Sequence, residues 1–178
     1  MGNAGTGSKV KTSNLRRCMT TGMSIFTLAA GVLFPDHVAL GEDQSTATAK
    51  TAILARKTLM NAIEENSDRI ARMISERDIN LPEARARANT IFVMLTALPH
   101  LFPPNSNEWK EGADLDPATD TVASPEIWTD FANFYELASA AAKRADEMRR
   151  SASEEDVKSL HRALGNLCDL CHALYYKE

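Results

Sequence analysis

From Thr46 to about Glu76 the chain has neither Gly nor Pro, and apolar residues fall at Ile53, Leu54, Met60, Ile63, Ile70, Met73 and Ile74. Intervals of three, four and seven put most of them on one stripe, which predicts a long amphipathic helix. Asn80-Leu81-Pro82-Glu83 reads as a helix start with Pro82 in the first turn. A second helix then runs from Ala84 to Leu98 through Ile91, Phe92, Met94 and Leu95, and Pro99 ends it. The next 25 or so positions, to Ala123, hold Pro103, Pro104, Asn105, Asn107, Gly112, Asp114, Asp116 and Pro117. A connection of that length is uncommon in a compact domain and marks a functional loop, a crossover or both. Ser124-Pro125-Glu126 supplies an N-cap with Pro at the first helical position. It predicts a third helix through Ile127, Trp128, Phe131, Phe134, Tyr135 and Leu137 to about Arg149. Ser153 caps a fourth, with Glu154, Glu155 and Asp156 in the first turn where the helix dipole favours acids, and Val157, Leu160, Leu164, Leu167 and Cys168 along its apolar face. Short links flank a long one, so the pattern predicts an all-α, antiparallel four-helix bundle with a long loop between the second and third helices.

Composition supports helices. Among 178 residues there are only 8 Gly and 7 Pro, while Ala, Leu, Glu, Arg and Met dominate. The length suits one domain plus a leader. Lys9, Lys11, Arg16 and Arg17 precede an uncharged run from Met19 to Phe34, and Ala39-Leu40-Gly41 offers small residues for cleavage. Residues 1–41 therefore read as a secretory signal peptide, with an uncleaved membrane anchor as the other reading; 42–178 is the expected domain. Arg16-Arg17 does not extend into a twin-arginine signal. Four of the 20 Lys and Arg lie before Gly41 but only Asp36 of the 24 Asp and Glu does, so the mature chain is more acidic than the formal net charge of −4. An acidic surface argues against nucleic acid, whose binding rests on basic residues neutralising phosphates.

The chemistry is concentrated in Asn166-Leu167-Cys168-Asp169-Leu170-Cys171-His172. On a helix Cys168 and Cys171 share a face. A C-x-x-C-H run there lets two thiols add to the vinyl groups along one porphyrin edge, with His172 as axial imidazole to the iron. A redox dithiol, a zinc site and two ordinary buried cysteines remain as alternatives. The first usually belongs to a βαβ setting, and the second wants two ligand pairs, which His100 and His161 do not supply. Cys18 stands apart and would leave with the leader.

Over nearly all of the mature region the chain resembles the cytochrome c' family, including its methionine-ligated low-spin relatives. Arg56-Lys57-Thr58-Leu59-Met60 is similar to the family's first-helix segment, and Ala97 to Pro103 to its leucine-proline and phenylalanine turn. Ser124 through Phe134 is similar to its third-helix opening, and Cys168 to Tyr175 to its terminal haem helix. The resemblance implies one covalent haem c on Cys168 and Cys171, iron held by His172 and, on the far side, by Met60. It also implies propionate contacts at Arg56 and Lys57 and distal packing by Phe102. Met60 also sits where an up-down bundle would bring the first helix beside the end of the fourth, whereas Met73, 13 residues on, would lie about 20 Å farther along. Core filler is the plainer role for Met60, as is a solvated helix charge for Arg56. One departure is Tyr176, where the family often has Arg four residues after the axial His.

The expected function is one-electron transfer in the periplasm by a carrier rather than an enzyme, with redox proteins as partners. No nucleic acid is expected, nor membrane association once the signal is cleaved. The alternative is a five-coordinate cytochrome c' binding nitric oxide or carbon monoxide, and a non-haem helical bundle is a third class. Homodimerisation through the first two helices is implied by the resemblance alone.

Overall fold

The structure, a computed structural model, describes residues 40–116 and 119–177, with side chains from Ser45 onward. All belong to the unit Asp36–Glu178. Apart from the backbone of Leu40 and Gly41, the signal segment read at 1–41 lies outside the described residues.

Four long helices carry the fold: α1 (Leu40–Glu76), α2 (Leu81–Ala97), α4 (Phe131–Arg149) and α5 (Glu154–Tyr175), with a single turn, α3 (Glu126–Thr129), ahead of α4. Their ends are set by local chemistry. Asn80 Oδ1 accepts from Glu83 N at 3.0 Å and Pro82 occupies the first turn, so α2 starts at Leu81, within the start signal read at Asn80 to Glu83. Ser153 and Asp156 form a reciprocal capping box at the start of α5, satisfying two backbone donors that no helical carbonyl could reach. Between α2 and α3 the chain makes two 3-10 turns, Leu98–Leu101 and Pro104–Ser106, and the residues described from there to Ser124 form no further helix. The far end of this crossover pairs with the end of α5 through an isolated antiparallel bridge, Ala123 to Tyr176.

Neighbouring helices run antiparallel, as the contacts between them show. Arg56 on α1 reaches Leu101 just past α2, whereas Arg69 reaches Glu83 at the start of α2. Ser67 on α1 meets His161 on α5, and Asn133 at the start of α4 meets Tyr175 at the end of α5. Ile63, Ile70, Met73, Ile91, Leu95, Met148, Val157 and Leu164 fill the main core. Ile127, Phe134 and Tyr175 form a smaller one at the end of the bundle where α3 sits, and Phe102 packs against both. Leu54, expected on the buried stripe, is 60% exposed.

The third helix differs from its predicted form. Asp130, at φ −131° and ψ 48°, leaves the helical region and divides it into α3 and α4. No Gly or Pro marks the break. Asp is a weak helix former that competes for backbone hydrogen bonds, which suits it to such a position.

Candidate functional site

Arg56, Lys57 and Met60 lie on one stretch of α1, and Arg56 and Met60, four apart, share a face. Arg56 is not a solvated charge. It is 4% exposed, and its guanidinium donates four hydrogen bonds into the crossover. Nη1 bonds Leu101 O (3.4 Å) and Ser106 Oγ (2.9 Å), while Nη2 bonds Ser106 O (3.1 Å) and Thr121 Oγ1 (2.6 Å). Its cationic carbon also stands 4.9 Å from the Phe102 ring centre and 5.7 Å from that of Trp128. Burial lowers its pKa to about 10, opposed by the charge of Glu108, so it stays charged at neutral pH. Lys57 Nζ donates to Asp120 O at 2.6 Å.

Opposite, α5 turns Cys168, Cys171 and His172 toward the same space. Cys168 and Cys171, three apart, are partly buried and unpaired with each other; His172 next to them is exposed. Burial raises both thiols, Cys171 to about 11, so neither is a thiolate at neutral pH. That is the opposite of the activated thiolate a redox dithiol needs. The Tyr176 ring lies 5.8 Å from that of His172, and Tyr176 N donates to His172 O at 3.0 Å. This position, read from the sequence as a departure from the usual Arg, gives the imidazole an aromatic neighbour.

Between these walls lies a cavity of about 720 Å³, and Arg56, Lys57, Met60, Phe102, Cys168, Cys171 and His172 all line it. The structure thus brings together every site residue named from the sequence. Met73 is buried in the core and is absent from the lining. Aromatic rings close one side: Phe102 stands edge-on to Trp128 (5.7 Å) and Phe134 (4.8 Å), and Phe134 edge-on to Tyr175 (5.4 Å), whose hydroxyl accepts from Asn133 Nδ2 at 2.8 Å. Ser106, Thr121, Trp128, Asn133 and Tyr175 were missed from the sequence. A buried arginine implies acceptors, but nothing in the local pattern says which residues supply them.

The volume suits a cofactor-sized ligand. Ile63, Leu95, Leu98, Ile127 and Leu137 offer a dry surface, Cys168 and Cys171 open onto it from one helix, and two basic side chains stand at α1. That donor set fits a flat apolar ring with two thiol attachments, an axial nitrogen and anionic substituents. It does not resemble a zinc site: among the described residues no three His, Cys, Asp or Glu side chains cluster to hold a metal ion. Nor, among those residues, is any helix long and apolar enough to cross a membrane.

No curated protein matches the chain. Solved structures do. Cytochrome c' from Thermochromatium tepidum superposes with a TM-score of 0.64 at 21% identity, over 73% of this chain and 97% of the other. Cytochrome c prime from Shewanella frigidimarina gives 0.60 at 22%, again over 73% and 97%, and cytochrome c' from Rubrivivax gelatinosus 0.62 at 19%, over 72% and 97%. At these identities the likeness establishes the fold. The family model Cytochrome C' matches residues 51–176, which span α1 from Thr51, the crossover, the thiol pair and His172. The chain therefore belongs to the cytochrome c' family of haem proteins, generally periplasmic, and its cofactor is one covalently attached haem c.

Proposed function

We propose that this protein is a periplasmic one-electron carrier whose haem is attached through Cys168 and Cys171 and whose iron is held by His172 and Met60. The observation that carries the reading is the presence of Met60 in the lining of the cavity shared by both thiols and His172. A haem so held supplies a one-electron couple, and a thioether ligand favours the reduced state and raises the potential. The chain's own part is to hold the imidazole beside Tyr176, exclude water with Phe102, Phe134 and the surrounding aliphatics, and offer Arg56 and Lys57 to the propionates. Redox partner proteins follow from that role. We further infer pairing of two copies through α1 and α2, which expose Leu54 and Val93.

The test is spectroscopic. Exported, matured protein should carry haem mass on the α5 peptide and show a low-spin spectrum in both oxidation states, and Met60→Ala should turn it high-spin. A high-spin wild type would remove the Met60 assignment.

The second reading, binding of nitric oxide or carbon monoxide, is favoured by the size of the cavity and by a similar fold, an Alcaligenes xylosoxidans cytochrome c prime variant, solved as a nitric oxide complex. Rapid carbon monoxide binding to the ferrous protein without displacement of a ligand would select it.

A further inference from the structure

The carbonyl oxygen of Pro103 collects three donors: Ser106 N (2.9 Å), Ser106 Oγ (2.8 Å) and Trp128 Nε1 (3.2 Å). Ser106 is fully buried, and its hydroxyl also accepts from Arg56 Nη1. The result is one continuous network from α1 through the crossover to α3. Phe102, immediately before Pro103, is the residue this network brackets. Its ring lines the cavity and touches Trp128 and Phe134, while Arg56 stands over it. Ser106 and Trp128 do not themselves line the cavity.

We propose that Ser106 and Trp128 are positioning residues: through the Pro103 carbonyl they hold the Phe102 ring in the cavity wall, and so set how readily a diatomic ligand enters. The inference rests on a haem occupying that cavity, whichever of the two functional readings holds. Pro103 has no backbone N–H and a fixed φ, so its carbonyl is a stiff handle on the preceding residue. Buried acceptors with several donors resist displacement, because movement leaves donors unsatisfied.

The experiment follows carbon monoxide association with the reduced, haem-loaded protein by flash photolysis in a Met60→Ala background, where no thioether can hold the iron and limit the rate, alongside hydrogen exchange of the Trp128 indole N–H by NMR. Ser106→Ala and Trp128→Phe should each raise the association rate about fivefold, the scale of one lost buried hydrogen bond, and Ser106→Ala should speed indole exchange. Phe102→Ala should raise the rate at least as far, and adding Ser106→Ala to it should change nothing more, since both act through one ring. Either single variant suffices if the other fails to fold. Unchanged rates in haem-loaded, folded variants overturn the proposal, as does a full Ser106→Ala effect in the Phe102→Ala background. Absence of haem mass on Cys168 and Cys171 overturns it together with the functional reading, so the two failures are told apart.

Discussion

Arg56 keeps its charge in a place that water hardly reaches, and the cost of that burial is offset by four hydrogen bonds and two aromatic faces. Replacing it by Met strands Ser106 and Thr121 acceptors, so Arg56→Met should lower unfolding stability by about 2 kcal/mol or more. Arg56→Lys should recover less than half of the loss, because an ammonium cannot serve both branches of the fork. Urea midpoints at unchanged m-value would measure both, and equal stability for Met and wild type would contradict the network's role. Cys168, Cys171 and His172 were legible from one motif, Met60 from the resemblance together with its place along an up-down bundle, and Arg56 and Lys57 from the resemblance alone. The partners of Arg56 were not, since Ser106 and Thr121 lie 50 and 65 residues away in sequence. Only chain closure places them.

Individual helices show how local signals set boundaries and where those signals stop. The Ser153 cap was visible as Ser ahead of an acidic first turn, while the return bond from Asp156 was not read, and Ser153→Ala should destabilise the protein by about 1 kcal/mol in thermal or urea melts. The break at Asp130 was not visible, because Ser124-Pro125-Glu126 is a good start signal and the apolar residues beyond it keep helical spacing across the interruption. Between α1 and α5, His161 Nε2 lies 3.1 Å from both Ser67 Oγ and Ser67 O. Burial lowers its pKa below the ordinary 6.5, opposed by the Ser67 carbonyl and Asp68. The folded state therefore binds fewer protons there than the unfolded chain. Stability from this group is present above pH 6.5 and is lost as pH falls through the lowered value. His161→Gln should flatten the decline in melting temperature between neutral and mildly acid pH; an identical decline in both proteins would assign it to other groups.

At the scale of the molecule, the bundle and its antiparallel order followed from four apolar stripes and one long link, while the second, aromatic core did not. That core depends on the crossover folding back so that Phe102 meets residues from α3, α4 and α5. Ile70, fully buried at the centre of the main core, gives the check on the bundle itself: Ile70→Ala should cost about 2–5 kcal/mol in urea unfolding, with haem attachment retained. If copies pair through α1 and α2, Leu54→Glu combined with Val93→Glu should yield monomers in sedimentation with the spectrum unchanged.

The interruption at Asp130 separates two jobs along the chain. Beyond it, α4 supplies the alanine-rich face packed into the main core; before it, one turn carries Trp128 to the crossover. Changes to α3 and the crossover can therefore alter how guarded the cofactor is while the scaffold keeps its packing. Under the ligand-binding reading, selectivity toward small ligands would then be adjustable through α3 and the crossover without repacking the four long helices.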